Sequence, residues 1–198
     1  KSRVQDFDPG SYAISKKQIK IKFKKELSIN VIIFPTLSTN GKQTILAHDN
    51  LEFYIDLNGR LTFSIDKQQI SVVEPLLFRN WYKAEVKISL NGKISISQKS
   101  IKDKKQKKLI NQAKFDVKNN FKGQLSIAAL VLKKKSFNNF NGKIESPKII
   151  ADGKIIFDCD LSNNTSSSFI KSLIGPELSL KNYPTRAVTG SKWDGSEM

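Results

Sequence analysis

The side chains whose types and spacing bear on chemistry are Glu52 with Asp56, Asp158 with Asp160, His48, Cys159, and the aromatics Tyr54, Trp81 and Tyr82. Glu52 and Asp56 fall on one face of an alternating segment with Tyr54 between them. Four residues of extended chain set them about 13 Å apart, beyond either spacing used by paired glycosidase carboxylates, so they read as a solvated strand edge. Asp158 and Asp160 stand two apart, about 7 Å in an extended chain, and present hard oxygens of the kind Ca²⁺ accepts. Two acids on an outer strand face need no metal, however. His48, with Asp49 beside it, and Cys159 are the raw material of a Cys–His nucleophilic pair, yet Cys159 lies in the apolar register of its segment and reads as a small core residue. Zinc sites want several His or Cys ligands, and the chain has one of each. No glycine-rich phosphate loop of familiar spacing occurs. Trp81, Tyr82 and Tyr54 are aromatics that can stack on a sugar ring, against the plainer reading of core or rim residues. No catalytic residue, metal site or cofactor site emerges.

The elements that must position these residues are β-hairpins. Ala84, Val86, Ile88 and Leu90 alternate with Lys83, Glu85, Lys87 and Ser89, a period of two that gives one apolar and one solvated face. Asn91-Gly92 then suits a type I′ turn, with Ile94 and Ile96 carrying the apolar face back. Phe53, Ile55 and Leu57, a turn at Asn58-Gly59, and Leu61, Phe63 and Ile65 repeat the arrangement. Further strands are expected over 11–15, 19–23, 26–34, 43–48, 68–73, 143–150 and 154–161. The nearly continuous apolar run 124–132 suits a central strand. The Lys-rich stretch 99–120 reads as a surface loop, with a turn of helix at 107–113. These segments predict an all-β, two-sheet antiparallel sandwich over residues 1–161. A polar linker at 162–168, with sequons starting at Asn163 and Asn164, opens a C-terminal extension (162–198) outside the sandwich.

The charge is lopsided, with 34 Lys+Arg against 18 Asp+Glu and a formal net charge of +16. The arginines are only Arg3, Arg60, Arg79 and Arg186, and most lysines stand singly at alternate strand positions, which argues for solvated faces rather than a sequence-specific nucleic-acid site. There is no apolar run of bilayer length, so no membrane contact is expected. The lone Cys159 permits no intrachain disulfide and points to a reducing, cytoplasmic compartment.

Gly10-Ser11-Tyr12 opening the first strand, the hairpin at Asn58-Gly59, Asn80-Trp81-Tyr82 opening a long strand and Phe140-Asn141-Gly142-Lys143-Ile144 near the end together resemble a laminin-G or concanavalin A-like jelly roll over about residues 10–161. That fold hosts lectins, glycosidases and adhesive modules alike. The tail Asn182-Tyr183-Pro184-Thr185-Arg186-Ala187-Val188-Thr189-Gly190, then Trp193-Asp194-Gly195, resembles a junction in the large (β) subunit of N,N-dimethylformamidase and its relatives, as does Ile156-Phe157-Asp158-Cys159-Asp160-Leu161-Ser162. The family hydrolyses amides with iron held by tyrosines and a glutamate. The resemblance places those ligands beyond Met198, so the chain is expected to be a piece of a longer protein. It implies a non-catalytic accessory or scaffold domain whose partners are the remainder of the polypeptide and other subunits. The Lys-rich 99–120 segment departs from that pattern. The alternative expectation is a carbohydrate-binding, lectin-like module.

Overall fold

The computed structural model describes residues 11–36, 38, 41–161 and 168–182, and the backbone of 193–194. In chain order the strands are β1 Tyr12–Ser15, β2 Ile19–Lys22, β3 Glu26–Pro35, β4 Gln43–His48, β5 Leu51–Ile55, β6 Leu61–Ile65, β7 Gln68–Ser71, β8 Tyr82–Ser89, β9 Lys93–Ser100 and β10 Leu109–Lys114. They continue with β11 Asn120–Gly123, β12 Leu125–Ile127, β13 Leu130–Leu132, β14 Lys135–Phe137, β15 Gly142–Ala151, β16 Lys154–Asp158, β17 Phe169–Ile170, β18 Leu178–Lys181 and β19 Trp193–Asp194. The first sheet runs β17-β18-β1-β12-β4-β5-β6-β7 and the second β10-β9-β8-β3-β15-β16, with β19 also paired to β15. Two small ribbons, β2 with β11 and β13 with β14, flank them. The protein is an all-β antiparallel sandwich of two sheets, and no described residue is helical.

The register shows why these sequences pair as they do. Leu180, Ala13, Ile127, Leu46, Phe53 and Phe63 stand directly opposite one another across six strands of the first sheet. Ile96, Val86, Ile29, Ile149 and Phe157 do the same across the second. Both rows are buried and meet in one core. Because side chains alternate along a strand, most intervening residues point away from that core, and at the register shift in β4 both Ile45 and Leu46 are core residues. Each fully buried Ile or Phe contributes about 1.5–3 kcal/mol of transfer free energy, so a one-residue slip would expose a whole row.

Both Leu-Asn-Gly hairpins turn one residue earlier than alternation predicts. Gly92 N–H donates to Ser89 O (2.9 Å) and Gly59 N–H to Asp56 O (3.0 Å), so Leu90 and Leu57 sit in the turns and are exposed rather than facing the core. Only the glycines take positive φ, 94° at Gly92 and 77° at Gly59; Asn91 and Asn58 do not. These are type I turns closed by a left-handed glycine, not the type I′ turns expected. At Gly92 a Cβ would lie 2.3 Å from Phe115 O, so the position tolerates no side chain.

Three other expectations change. Residues 107–113 form no helical turn: Leu109–Lys114 is the edge strand of the second sheet, with Leu109 and Ala113 packed on the core. Its inward Asn111 breaks the apolar pattern because its Nδ2 donates to Ser71 O (2.8 Å), tying this edge to the first sheet's edge. The run 124–132 is two strands, since Ala128 takes φ 67° and turns the chain from β12 into the β13–β14 ribbon. The sandwich also does not end at residue 161. Leu178 and Leu180 are core residues, and β18 pairs with β1 over its whole length. Residues 162–167 of the 162–168 linker, both sequons and tail residues 183–192 and 195–198 lie outside the described residues. No helix among the described residues is long and apolar enough to cross a membrane.

Candidate functional site

The connection from β7 to β8 and the connection from β9 to β10 face each other across one end of the sandwich. Residues 72–81 are pinned by main-chain bonds: Leu76 N–H to Gly59 O (2.8 Å) and Arg79 N–H to Pro35 O (2.6 Å). Leu77 N–H donates to the Tyr82 hydroxyl at 2.9 Å. Residues 101–108 are shaped by Ser100 and Asp103. Asp103 N–H donates to Ser100 Oγ (3.2 Å). Asp103 Oδ1 accepts Lys105 N–H (3.0 Å), and Asp103 O accepts Gln106 N–H (3.1 Å). Ile101 N–H to Trp81 O (3.0 Å) anchors the start of this loop.

Between the two connections lies a cleft of about 390 Å³, lined among others by Glu74, Leu77, Tyr82, Gln98, Ser100 and Lys107. Its floor is an extension of the inward register of β9, where Ile94 and Ile96 give way to Gln98 and Ser100, both buried. Gln98 Nε2 donates to Glu74 O (3.3 Å), and among the described residues none donates to Gln98 Oε1. An unmet buried acceptor costs about 1–3 kcal/mol, which most inward positions avoid by being apolar. The rim combines an apolar side chain, Leu77 at 61% exposure, with Glu74 and Lys107, both exposed.

The outward face of the first sheet holds a second polar group, and here the sequence expectation is corrected. Glu52 is not on a solvated edge but is buried, with its carboxylate accepting from Thr44 Oγ1 (2.8 Å) and from Lys42 Nζ (2.6 Å). Tyr54, opposite Thr44, donates its hydroxyl to Gln69 Oε1 (3.0 Å), and the Lys42 ammonium stands 4.4 Å from its ring centre. Burial, then the charges of Glu52 and Asp56, hold the Tyr54 phenol above its usual range. Asp56 belongs to the turn, where Oδ1 accepts from Asn58 and Arg60 N–H, both at 2.9 Å. This network spends its polar groups on one another, and Lys42 covers the ring a sugar would need.

The three aromatics singled out as sugar contacts do not converge. Tyr54 faces outward from the first sheet. Trp81 packs on Phe34, ring centres 5.0 Å apart, on the outward face of the second. Tyr82 is buried between the sheets and reaches the cleft floor. Asp158 ends β16 with its carboxylate 4.0 Å from Lys148 Nζ, and among the described residues no group of three His, Cys, Asp or Glu side chains is placed to hold a metal. His48 is buried, with Nε2 2.7 Å from Ile19 O. Burial pushes its pKa down, against the opposing effects of Ile19 O, Asp49 and Gly123. Cys159 is a buried free thiol pushed up to about 12, chiefly by burial, the setting of a structural rather than a reactive cysteine. Glu74, Gln98 and Ser100 were not singled out by sequence reasoning, and Lys107 was read only as part of the Lys-rich loop. The signal was the polar Gln98 and Ser100 at inward positions of an otherwise apolar series.

No protein-family model matches the sequence, and neither does any curated protein. Solved structures do. A candidate carbohydrate-binding protein from Bacteroides ovatus superposes with TM-score 0.63 at 15% identity, covering 93% of this chain and 61% of that one. The chain thus spans about three fifths of that protein's length. A SAP-like pentraxin from Limulus polyphemus superposes with TM-score 0.51 at 12% identity, covering 72% and 70% of the two chains. At such identities the likeness is one of fold, and the fold it gives is a two-sheet jelly-roll sandwich.

Proposed function

We propose that this domain binds carbohydrate, non-catalytically, through the cleft between residues 72–81 and 101–108. The observation that carries the reading is the chemistry of that cleft: an apolar rim residue, an acid, a lysine, a hydroxyl and an amide, with one acceptor on the floor unmet among the described residues. A pyranose presents apolar C–H faces and a ring of hydroxyls, which this mixture of groups matches. The fold likeness to a candidate carbohydrate-binding protein over 93% of the chain supports the same class of function. The formamidase-like scaffold reading rests on sequence around residues 156–162 and 182–195, most of the latter outside the described residues, and neither structural neighbour described above adds to it.

The test is affinity electrophoresis and calorimetry of the domain against a panel of soluble neutral and acidic polysaccharides. At least one should retard migration, and the paired change Leu77→Ala with Glu74→Ala should weaken binding about ten-fold or more, the loss expected of central contacts. Both side chains are exposed, so the fold should be unaffected. Unchanged affinity in the pair would remove the cleft from the account. Binding to no glycan at all, with stable association to an amidohydrolase partner, would restore the scaffold reading.

A further inference from the structure

The loop that forms one wall of the cleft is densely basic. Lys102, Lys104, Lys105, Lys107 and Lys108 fall within residues 101–108, and all are exposed. Lys108 Nζ lies 3.7 Å from the Glu85 carboxylate. The other four make no ion pair among the described residues. The only acid in the loop, Asp103, spends its Oδ1 on the Lys105 main chain, so the turn is held in shape while its cations stay unneutralised. Gathering four unpaired ammonium groups costs mutual repulsion and stabilises nothing in the fold.

We infer that the ligand of this cleft is an anionic glycan, a polysaccharide bearing carboxylates or sulfates, rather than a neutral one. This rests on the carbohydrate reading of the cleft. Lys107 lines the cleft itself, and the neighbouring lysines stand along the same loop, placed to follow a chain that runs out of it. Lysine ammonium groups on flexible stems suit acidic groups repeated at variable spacing, where the fixed fork of arginine does not. Glu74 on the opposite wall sets the orientation: the acidic groups of the ligand lie toward the lysine loop and its hydroxyls toward Glu74 and Ser100. A nucleic acid fits less well. Residues 99–120 contain no arginine, their one aromatic, Phe115, packs against the core, and Tyr82 is too buried to offer a stacking face.

The experiment compares an oligogalacturonate with a neutral oligogalactan of equal length, by calorimetry near 0.15 M salt, where charges beyond about 8 Å are screened. Three proteins are measured: the wild type, the triple variant Lys104→Gln, Lys105→Gln, Lys107→Gln, and a control with the same net charge, Lys20→Gln, Lys22→Gln, Lys24→Gln. All six lysines are exposed. The acidic oligosaccharide should bind, the loop variant should lose about ten-fold or more with a shallower salt dependence, and the control should lose little. Equal losses in the two variants would mean bulk charge and overturn the inference. So would equal affinity for the neutral oligogalactan, which would leave the carbohydrate reading standing. A single-stranded oligonucleotide of matched charge that competes equally would also overturn it, in favour of a polyanion site. Binding of neither saccharide, with no binding across the wider panel, would overturn the carbohydrate reading itself.

Discussion

The Thr44 hydroxyl donates to Glu52 Oε2 at 2.8 Å, so that a buried carboxylate on the outward sheet face is satisfied from the adjacent strand. Lys42 Nζ, 2.6 Å from Oε1, satisfies the other oxygen but is itself 35% exposed. Thr44→Val keeps the shape and removes the donor, and should cost about 1–3 kcal/mol by leaving a buried acceptor unmet. Lys42→Met should cost less, roughly 0–1 kcal/mol, because a partly solvated ion pair contributes little. Urea denaturation of both variants checks the order. A larger loss for Lys42→Met would place the energy of this group in its charge rather than in its hydrogen bond.

Ile88 faces the core and is wholly buried, whereas Leu90 sits in the turn at 43% exposure. Ile88→Asp should therefore destabilise by roughly 4 kcal/mol or more, through an unpaired charge among apolar neighbours, and Leu90→Asp by about 0.5 kcal/mol or less. Equal denaturation midpoints would contradict the turn geometry.

His48 is the single histidine, and burial lowers its folded pKa. The unfolded chain then takes up a proton near its ordinary value of 6.5 while the folded protein does not, so stability falls as pH drops through that value toward the folded pKa. The slope should approach, and not exceed, about 1.4 kcal/mol per pH unit, and should vanish in His48→Gln, with no contribution above pH 7. Denaturation midpoints of the two proteins between about pH 5 and 7 provide the comparison. Identical pH profiles would show that the histidine titrates alike in both states.

Cys159 is buried, with its thiol pushed up to about 12 by burial, the nearby Asp160 and Asp158 adding to this and a Ser172 hydrogen bond opposing it. A disulfide reagent at neutral pH should label it only as fast as the protein unfolds, and at once in denaturant. Rapid labelling of the native protein would contradict its place in the core.

The architecture was legible because alternation is a local signal. The strands around Val86, Ile88, Ile94 and Ile96 follow directly from a period of two. The failures have a common cause, in that distant partners reassigned local chemistry. Asn111 hid an edge strand because its amide bonds to Ser71 on the other sheet. Leu178 and Leu180 looked like tail residues because nothing local announces that they pair with Ala13 and its neighbours. Glu52 was placed on the correct face, but its burial depends on Thr44 from the preceding strand and on Lys42 just before it. The cleft was the least legible part, being built from two connections that only the closed sandwich brings together.

The measurement that tests the central claim most directly is amide chemical-shift mapping of the isotopically labelled domain, titrated with the oligosaccharide that binds best in the panel. Shifts concentrated in residues 74–82 and 98–109, saturating with the same affinity found by calorimetry, are the predicted result. Shifts confined to the Glu52 and Tyr54 face or to the Phe34 and Trp81 patch, or no saturable shifts with any oligosaccharide, would contradict it.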